Sequence, residues 1–166
     1  MSTGADQRPD PVQPADAEAR ALALSMLQDA RHAALSYTDA DGTPGVSRIA
    51  FGLAPDGTPV TLVSGLAPHF AALRDRPACA VMLGEPGLKG DPLTHPRLMV
   101  KARAGLIASD DPARPALRAL WLDAHPKAKL YVDFADFAFC RLVPVDALLN
   151  AGFGRAYRMT AADLHG

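Results

Sequence analysis

Ala33-Ala-Leu-Ser-Tyr-Thr38, Val46-Ser-Arg-Ile-Ala-Phe-Gly-Leu53 and Pro59-Val-Thr-Leu-Val-Ser64 are three short apolar runs, separated by Asp41-Gly42 and Asp56-Gly57. Asp-Gly pairs supply the positive φ angles that tight hairpins need, so the segment reads as three consecutive antiparallel strands, roughly Ala34 to Thr38, Val46 to Leu53 and Pro59 to Ser64. Alternation along the second strand places Val46, Arg48 and Ala50 on one face and Ser47, Ile49 and Phe51 on the other. Ile49 and Phe51 are expected in the core, which turns Arg48 outward.

Upstream, Asp16 is a candidate N-cap, and Leu22, Met26, Leu27 and Ala30 recur at helical spacing. Arg31 and His32 would then complement the C-terminal end of that helix dipole. Residues 1–15 are polar and proline-containing, with almost no large apolar side chain, and read as a disordered tail. Residues 16–166 read as one domain. Downstream, Ala67 to Arg76 predicts a short helix stopped by Pro77, and Cys79-Ala-Val-Met-Leu83 a strand covered on both faces. Gly84 to Pro96 holds three glycines and three prolines and reads as a long loop, a kind of segment that often carries function. A strand with one wet face follows from Leu98 to Ala104. Asp111 then caps a helix with Pro112 in its first turn and Leu117, Leu120, Trp121 and Ala124 on one side. A short helical piece runs from Pro126 to Tyr131, a last strand from Phe137 to Val143, and the remainder through Tyr157 reads as irregular with one helical turn. So many antiparallel strands exclude a doubly wound sheet and predict a closed or partly closed barrel with helices at its rim.

The composition of the 166 residues, 49% hydrophobic and 21% charged with a formal charge of -1, is that of a globular chain and offers no phosphate-backbone attraction for nucleic acid. Cys79 and Cys140 form no CxxC pair and are expected as two buried thiols. Asp91 and His95 lack a third ligand at useful spacing, so no metal site is expected. Neither a signal peptide nor an apolar run of membrane-spanning length is present, which makes a cytoplasmic location the expectation.

Four motifs occur in one order: Val46-Ser-Arg-Ile-Ala-Phe51, Ser64-Gly-Leu-Ala-Pro-His69, Gly90-Asp-Pro-Leu-Thr-His-Pro-Arg97 and Asn150-Ala-Gly-Phe-Gly-Arg-Ala156. Together they resemble the FMN-binding split barrels related to pyridoxamine 5′-phosphate oxidase, over roughly Ala17 to Tyr157, and more particularly the haem-utilisation branch of that superfamily. The fold this implies is a six-stranded antiparallel split β-barrel of Greek-key type, mainly β with flanking helices. The resemblance further implies a homodimer in which FMN lies between subunits. Its phosphate would be held by Arg48, flanked by Ile49, Ala50 and Phe51, and by groups near Val63 and Ser64; His69, Arg97 and Arg155 complete the implied cofactor set. A guanidinium suits a phosphate dianion because it offers paired donors and does not titrate. Read alone, Arg48 and Arg97 would be solvent-facing strand arginines, Ser64 a strand-end turn residue and His69 a surface histidine at a helix start.

Phe70 stands where relatives carry a phosphate donor, and Leu149 and Tyr157 replace the tryptophan and histidine near the oxidase's substrate arginine, which argues against pyridoxamine phosphate as substrate. No general base or nucleophile stands out. Three readings follow for a small-molecule-binding protein: an FMN-dependent oxidoreductase; a haem-binding or haem-utilisation protein with an axial ligand among His69, His95, His125 and His165; and a flavin-binding module without turnover.

Overall fold

The computed structural model describes residues 11–165. Nine strands and three α-helices follow in the order β1 (Val12–Pro14), α1 (Ala17–Asp29), β2 (His32–Thr38), β3 (Pro44–Ala50), β4 (Gly52–Leu53), β5 (Pro59–Ser64), α2 (Pro68–Asp75), β6 (Ala78–Leu83), β7 (Arg97–Leu106), α3 (Arg114–Ala124), β8 (Phe137–Asn150) and β9 (Ala156–Thr160). Neighbouring strands run β1-β9-β8-β7-β6-β2-β3, and β5 pairs with both β4 and β8. Every pairing is antiparallel except β1 with β9.

The expected six barrel strands are all present. β3 and β4 are one strand interrupted at Phe51: its first part pairs with β2 and its second with β5. This double pairing, together with the pairing of β8 to both β5 and β7, closes the barrel. At the break the Phe51 amide donates to the Arg31 carbonyl at 2.9 Å, and the Phe51 carbonyl lies 2.9 Å from Nε2 of His125, so both backbone groups stay satisfied outside the ladder.

Three expectations are corrected. The last strand continues to Asn150 and is followed by β9, because Ala147, Leu149, Tyr157 and Met159 alternate into the core where irregular chain was expected. Val12–Pro14, read as part of the tail, forms a short parallel strand on β9; residues 1–10 of that tail lie outside the described residues. The helix expected from Asp111 begins at Arg114 instead, since the Asp111 carboxylate takes the Ala113 amide at 2.8 Å in a preceding turn.

Asp16 caps α1 as expected, accepting from the Ala19 amide at 2.7 Å. The barrel interior holds Leu35, Tyr37, Ile49, Phe51, Val81, Leu98, Val100, Leu142 and Leu149, closed at one side by Ala23 and Leu27 of α1. A second core joins α3 to the outer side of β5 and β8 through Val60, Leu62, Leu117, Trp121 and Phe139. Burial pushes the Cys79 thiol up to about 11 and that of Cys140 to about 12, so both stay protonated. Among the described residues no helix is long and apolar enough to cross a membrane, and no group of three or more His, Cys, Asp or Glu side chains could hold a metal ion.

Candidate functional site

Alternation along β3 buries Ile49 and turns Arg48 to the outside, as the sequence pattern requires. Register then carries the outer face across the sheet. Arg48 lies opposite Ala34, Ala34 opposite Met82, Met82 opposite Met99 and Met99 opposite Leu148. The adjacent row runs Val46, Ser36, Ala80, Lys101 and Asp146. Beyond it, Arg103 faces Val143, and Val145 is added by a register shift opposite the Lys101/Ala102 junction. This face is more apolar than a solvated sheet surface: Val46 is 72% exposed, Met82 47%, Val143 49% and Val145 51%. Exposed apolar side chains gathered on one face in this way mark an interaction surface. Arg48 carries no hydrogen bond or ion pair among the described residues, whereas Lys101 pairs with Asp146 at 3.6 Å.

The other residues of the implied cofactor set are distributed unevenly. Ile49, Phe51 and Val63 are buried in the barrel, and only their backbone could meet a ligand; Ala50 packs partly against the second core. The Ser64 hydroxyl donates to Oδ2 of Asp136 at 3.0 Å and accepts from the Leu66 amide at 3.2 Å. His69 is half-buried, with Nδ1 lacking a partner, and desolvation lowers its pKa. Phe70 packs partly against the barrel core. Arg97 shares the outer face with Met99, two residues along β7, and its guanidinium donates to the Leu93 carbonyl at 2.8 Å. Arg155 is tied down by Glu18 of α1 at 3.2 Å and by the Tyr157 hydroxyl at 3.4 Å. The structure therefore brings Arg48 and Arg97 to one face, leaves Ser64 and Arg155 engaged elsewhere, and sets His69 beside Tyr37 with its Nδ1 unpartnered.

Three histidines that sequence alone left as candidate haem ligands have structural partners. His95 accepts the Gly87 amide at Nδ1, 3.1 Å away, and its Nε2 lies 2.9 Å from the Lys89 carbonyl, so its ring staples the long loop. His125 meets the Phe51 carbonyl and stacks against Trp121 with ring centroids 4.3 Å apart. His165 places Nδ1 2.8 Å from the Ala161 carbonyl.

His32 was read as the tail of the first helix. Instead α1 stops at Asp29, and His32 opens β2 with its side chain exposed on the outer face, Nε2 lying 2.9 Å from Oε1 of Glu85. The signal that could have placed it is the period-2 series His32, Ala34, Ser36, opposite to the core-facing Ala33, Leu35 and Tyr37.

No family model matches the chain. It is 30% identical over 117 residues to the non-canonical heme oxygenase HOZ, chloroplastic, of Arabidopsis thaliana; the match takes in 70% of this chain and 35% of that protein, so the chain spans about a third of that relative's length. A solved heme-binding protein from Mycobacterium smegmatis is 27% identical with a TM-score of 0.79, over 95% of this chain and 60% of the other. A putative pyridoxamine 5′-phosphate oxidase from Listeria innocua shares the fold at 17% identity and a TM-score of 0.59, over 78% and 96% of the two chains. A barrel closed through β5 and β8, four ordered motifs and these likenesses agree: the chain belongs to the pyridoxamine 5′-phosphate oxidase-like split-barrel superfamily, and its neighbours there include heme-binding proteins.

Proposed function

We propose that this protein binds haem on the outer face of its sheet and works in haem handling. The observation that carries the reading is the row of Arg48, Ala34, Met82, Met99 and Leu148, an apolar strip with an unpartnered cation at one end. A porphyrin is a broad apolar plane with two propionates on one edge. Met side chains adapt to such a plane, and a guanidinium fixed on a strand pairs with a carboxylate through two parallel bonds. The haem names borne by the Arabidopsis and mycobacterial relatives support the same reading.

FMN is the weaker candidate. A phosphate dianion seated at Ser64 would meet the Asp136 carboxylate that already accepts that hydroxyl, and Phe70 offers no donor. Arg48 is the one cation of the set with no partner among the described residues, and a flavin-dependent oxidoreductase would need Ser64 and Arg155 released from theirs.

Titration of the purified chain with hemin and, separately, with FMN tests the assignment by absorption. Hemin is expected to give a saturable Soret band. Arg48→Ala removes a charge-assisted contact worth about 1.5–3 kcal/mol and is expected to weaken hemin about tenfold or more. Unchanged hemin affinity in that variant, or tight FMN uptake without hemin uptake, would sink the reading.

The same face is proposed to bury against a second copy of the chain, so that the ligand lies between two subunits. Its exposed Val46, Met82, Val143 and Val145 would supply the apolar part of such an interface, with the Lys101–Asp146 pair and Arg103 among them. Met82→Glu puts an unpaired charge at the centre of that patch. The expected outcome in analytical ultracentrifugation is a dimer for the parent protein and a monomer for the variant; a parent chain that sediments as a monomer refutes the dimer.

A further inference from the structure

We propose that His32 is the axial ligand of the haem iron, oriented by Glu85. This rests on the haem reading above. An axial ligand must present a neutral imidazole nitrogen with a free lone pair on the face where the porphyrin lies. The chain has five histidines. His95 has both ring nitrogens engaged within its own loop. His125 gives Nε2 to the distant Phe51 carbonyl and stacks on Trp121 of the second core, and His165 gives Nδ1 to the Ala161 carbonyl in the C-terminal turn, so none of the three stands on the outer face of β2 and β3. His69 packs its ring against Tyr37, centroids 5.8 Å apart, at the far end of β2 and on the barrel side of the sheet.

His32 meets each requirement. It opens β2, two residues from Ala34 and on the same outer face, so Arg48 is its diagonal neighbour on β3, a separation of about 7–8 Å between backbones. It lines an open cavity of about 410 Å³ together with Met26, Met82, Gly84 and Glu85. Met82 belongs both to this cavity and to the apolar row that ends at Arg48, so the two features are one surface. Of the two ring nitrogens, Nε2 is held by the Glu85 carboxylate and Nδ1 has no partner among the described residues. A carboxylate on one nitrogen of a metal-binding imidazole fixes its tautomer and orientation and raises the basicity of the other nitrogen. Glu85 is thus a positioning residue and His32 the ligand.

The experiment titrates hemin into the full chain and into His32→Ala, Glu85→Gln and His69→Ala, following the Soret band, the electron paramagnetic resonance spectrum of the ferric complex and its affinity. The side chain of His32 is exposed, and unchanged circular dichroism and melting confirm that each variant is folded. His32→Ala is expected to lose the nitrogen-ligated spectrum, to bind hemin at least about tenfold more weakly, and to regain the parental spectrum on addition of imidazole. Glu85→Gln is expected to keep nitrogen ligation while losing affinity by roughly tenfold. His69→Ala should leave the spectrum unchanged. A His32→Ala complex with the parental spectrum and affinity overturns the ligand assignment while leaving haem binding intact. A parent chain that takes up no hemin overturns both.

Discussion

Phe139→Ala is expected to cost about 3–5 kcal/mol of stability, the range for deleting a fully buried aromatic ring whose surroundings cannot collapse. Phe139 is wholly inaccessible in β8. Trp121 meets its ring edge-on with centroids 5.7 Å apart, and the Arg114 guanidinium lies 5.9 Å from the ring centroid. Both partners belong to α3, so the ring joins that helix to the barrel within the second core, beside Val60, Leu62 and Leu117. Its removal would reach the strand break as well, because His125 at the end of α3 holds the Phe51 carbonyl. In a chain of this size the midpoint of thermal unfolding should fall by roughly 10 °C. Chemical denaturation of the variant measures the loss directly, and a value below about 1 kcal/mol would show that the second core is not what fastens α3.

Gly84→Ala is expected to destabilise by about 1–3 kcal/mol and to weaken hemin binding with it. Gly84 has φ +101°, a region L-residues with a Cβ avoid. An added methyl would overlap the Pro96 carbonyl oxygen and approach Arg97 Cα to 3.0 Å and Met26 Cε to 2.8 Å. The methionine end could move, but the two backbone atoms lie where the chain enters β7, beside the Leu83–Leu98 pairing of β6 with β7, which their displacement would disturb. Those are the strands that carry Met82 and Met99. Gly105→Ala is the matched control: a methyl there meets nothing within 4 Å and the backbone has no positive φ. Equal urea midpoints for the two variants would refute the argument.

The strands that could be read from sequence had a legible apolar pattern or a turn signal beside them. Asp41-Gly42 and Asp56-Gly57, whose glycines take φ +84° and +79°, marked β2, β3 and β5, while an apolar run marked β6 and alternation marked β7. β9 had neither, since Gly152 and Gly154 set it off as loop and its five residues are too short to declare a period. Arg48 was legible because alternation alone decides which way it points. His32 was not, because a cationic residue just beyond an amphipathic helix satisfies the dipole rule equally well, and only the position of the helix end separates the two readings. Ser64 illustrates a different limit. Its place at the end of β5 was evident, but its hydrogen-bond partner, Asp136, lies 72 positions away, and no local pattern announces it.

β8 has a consequence for how the chain reaches this state. Along its fourteen residues it bonds to β5, β7 and β9 in turn. The hairpins β2–β3 and β4–β5 can close as soon as their Asp-Gly turns are made, yet the wall between β5 and β7 does not exist until the chain has been synthesised past Asn150. Folding is thereby governed by one late, long-range docking event, which topologies of this kind complete slowly. Until it happens, the strip of Met82 and Val46 and the barrel interior are open to the same solvent, and a ribosome-bound chain stopped before β8 has apolar surface on both sides of its sheet.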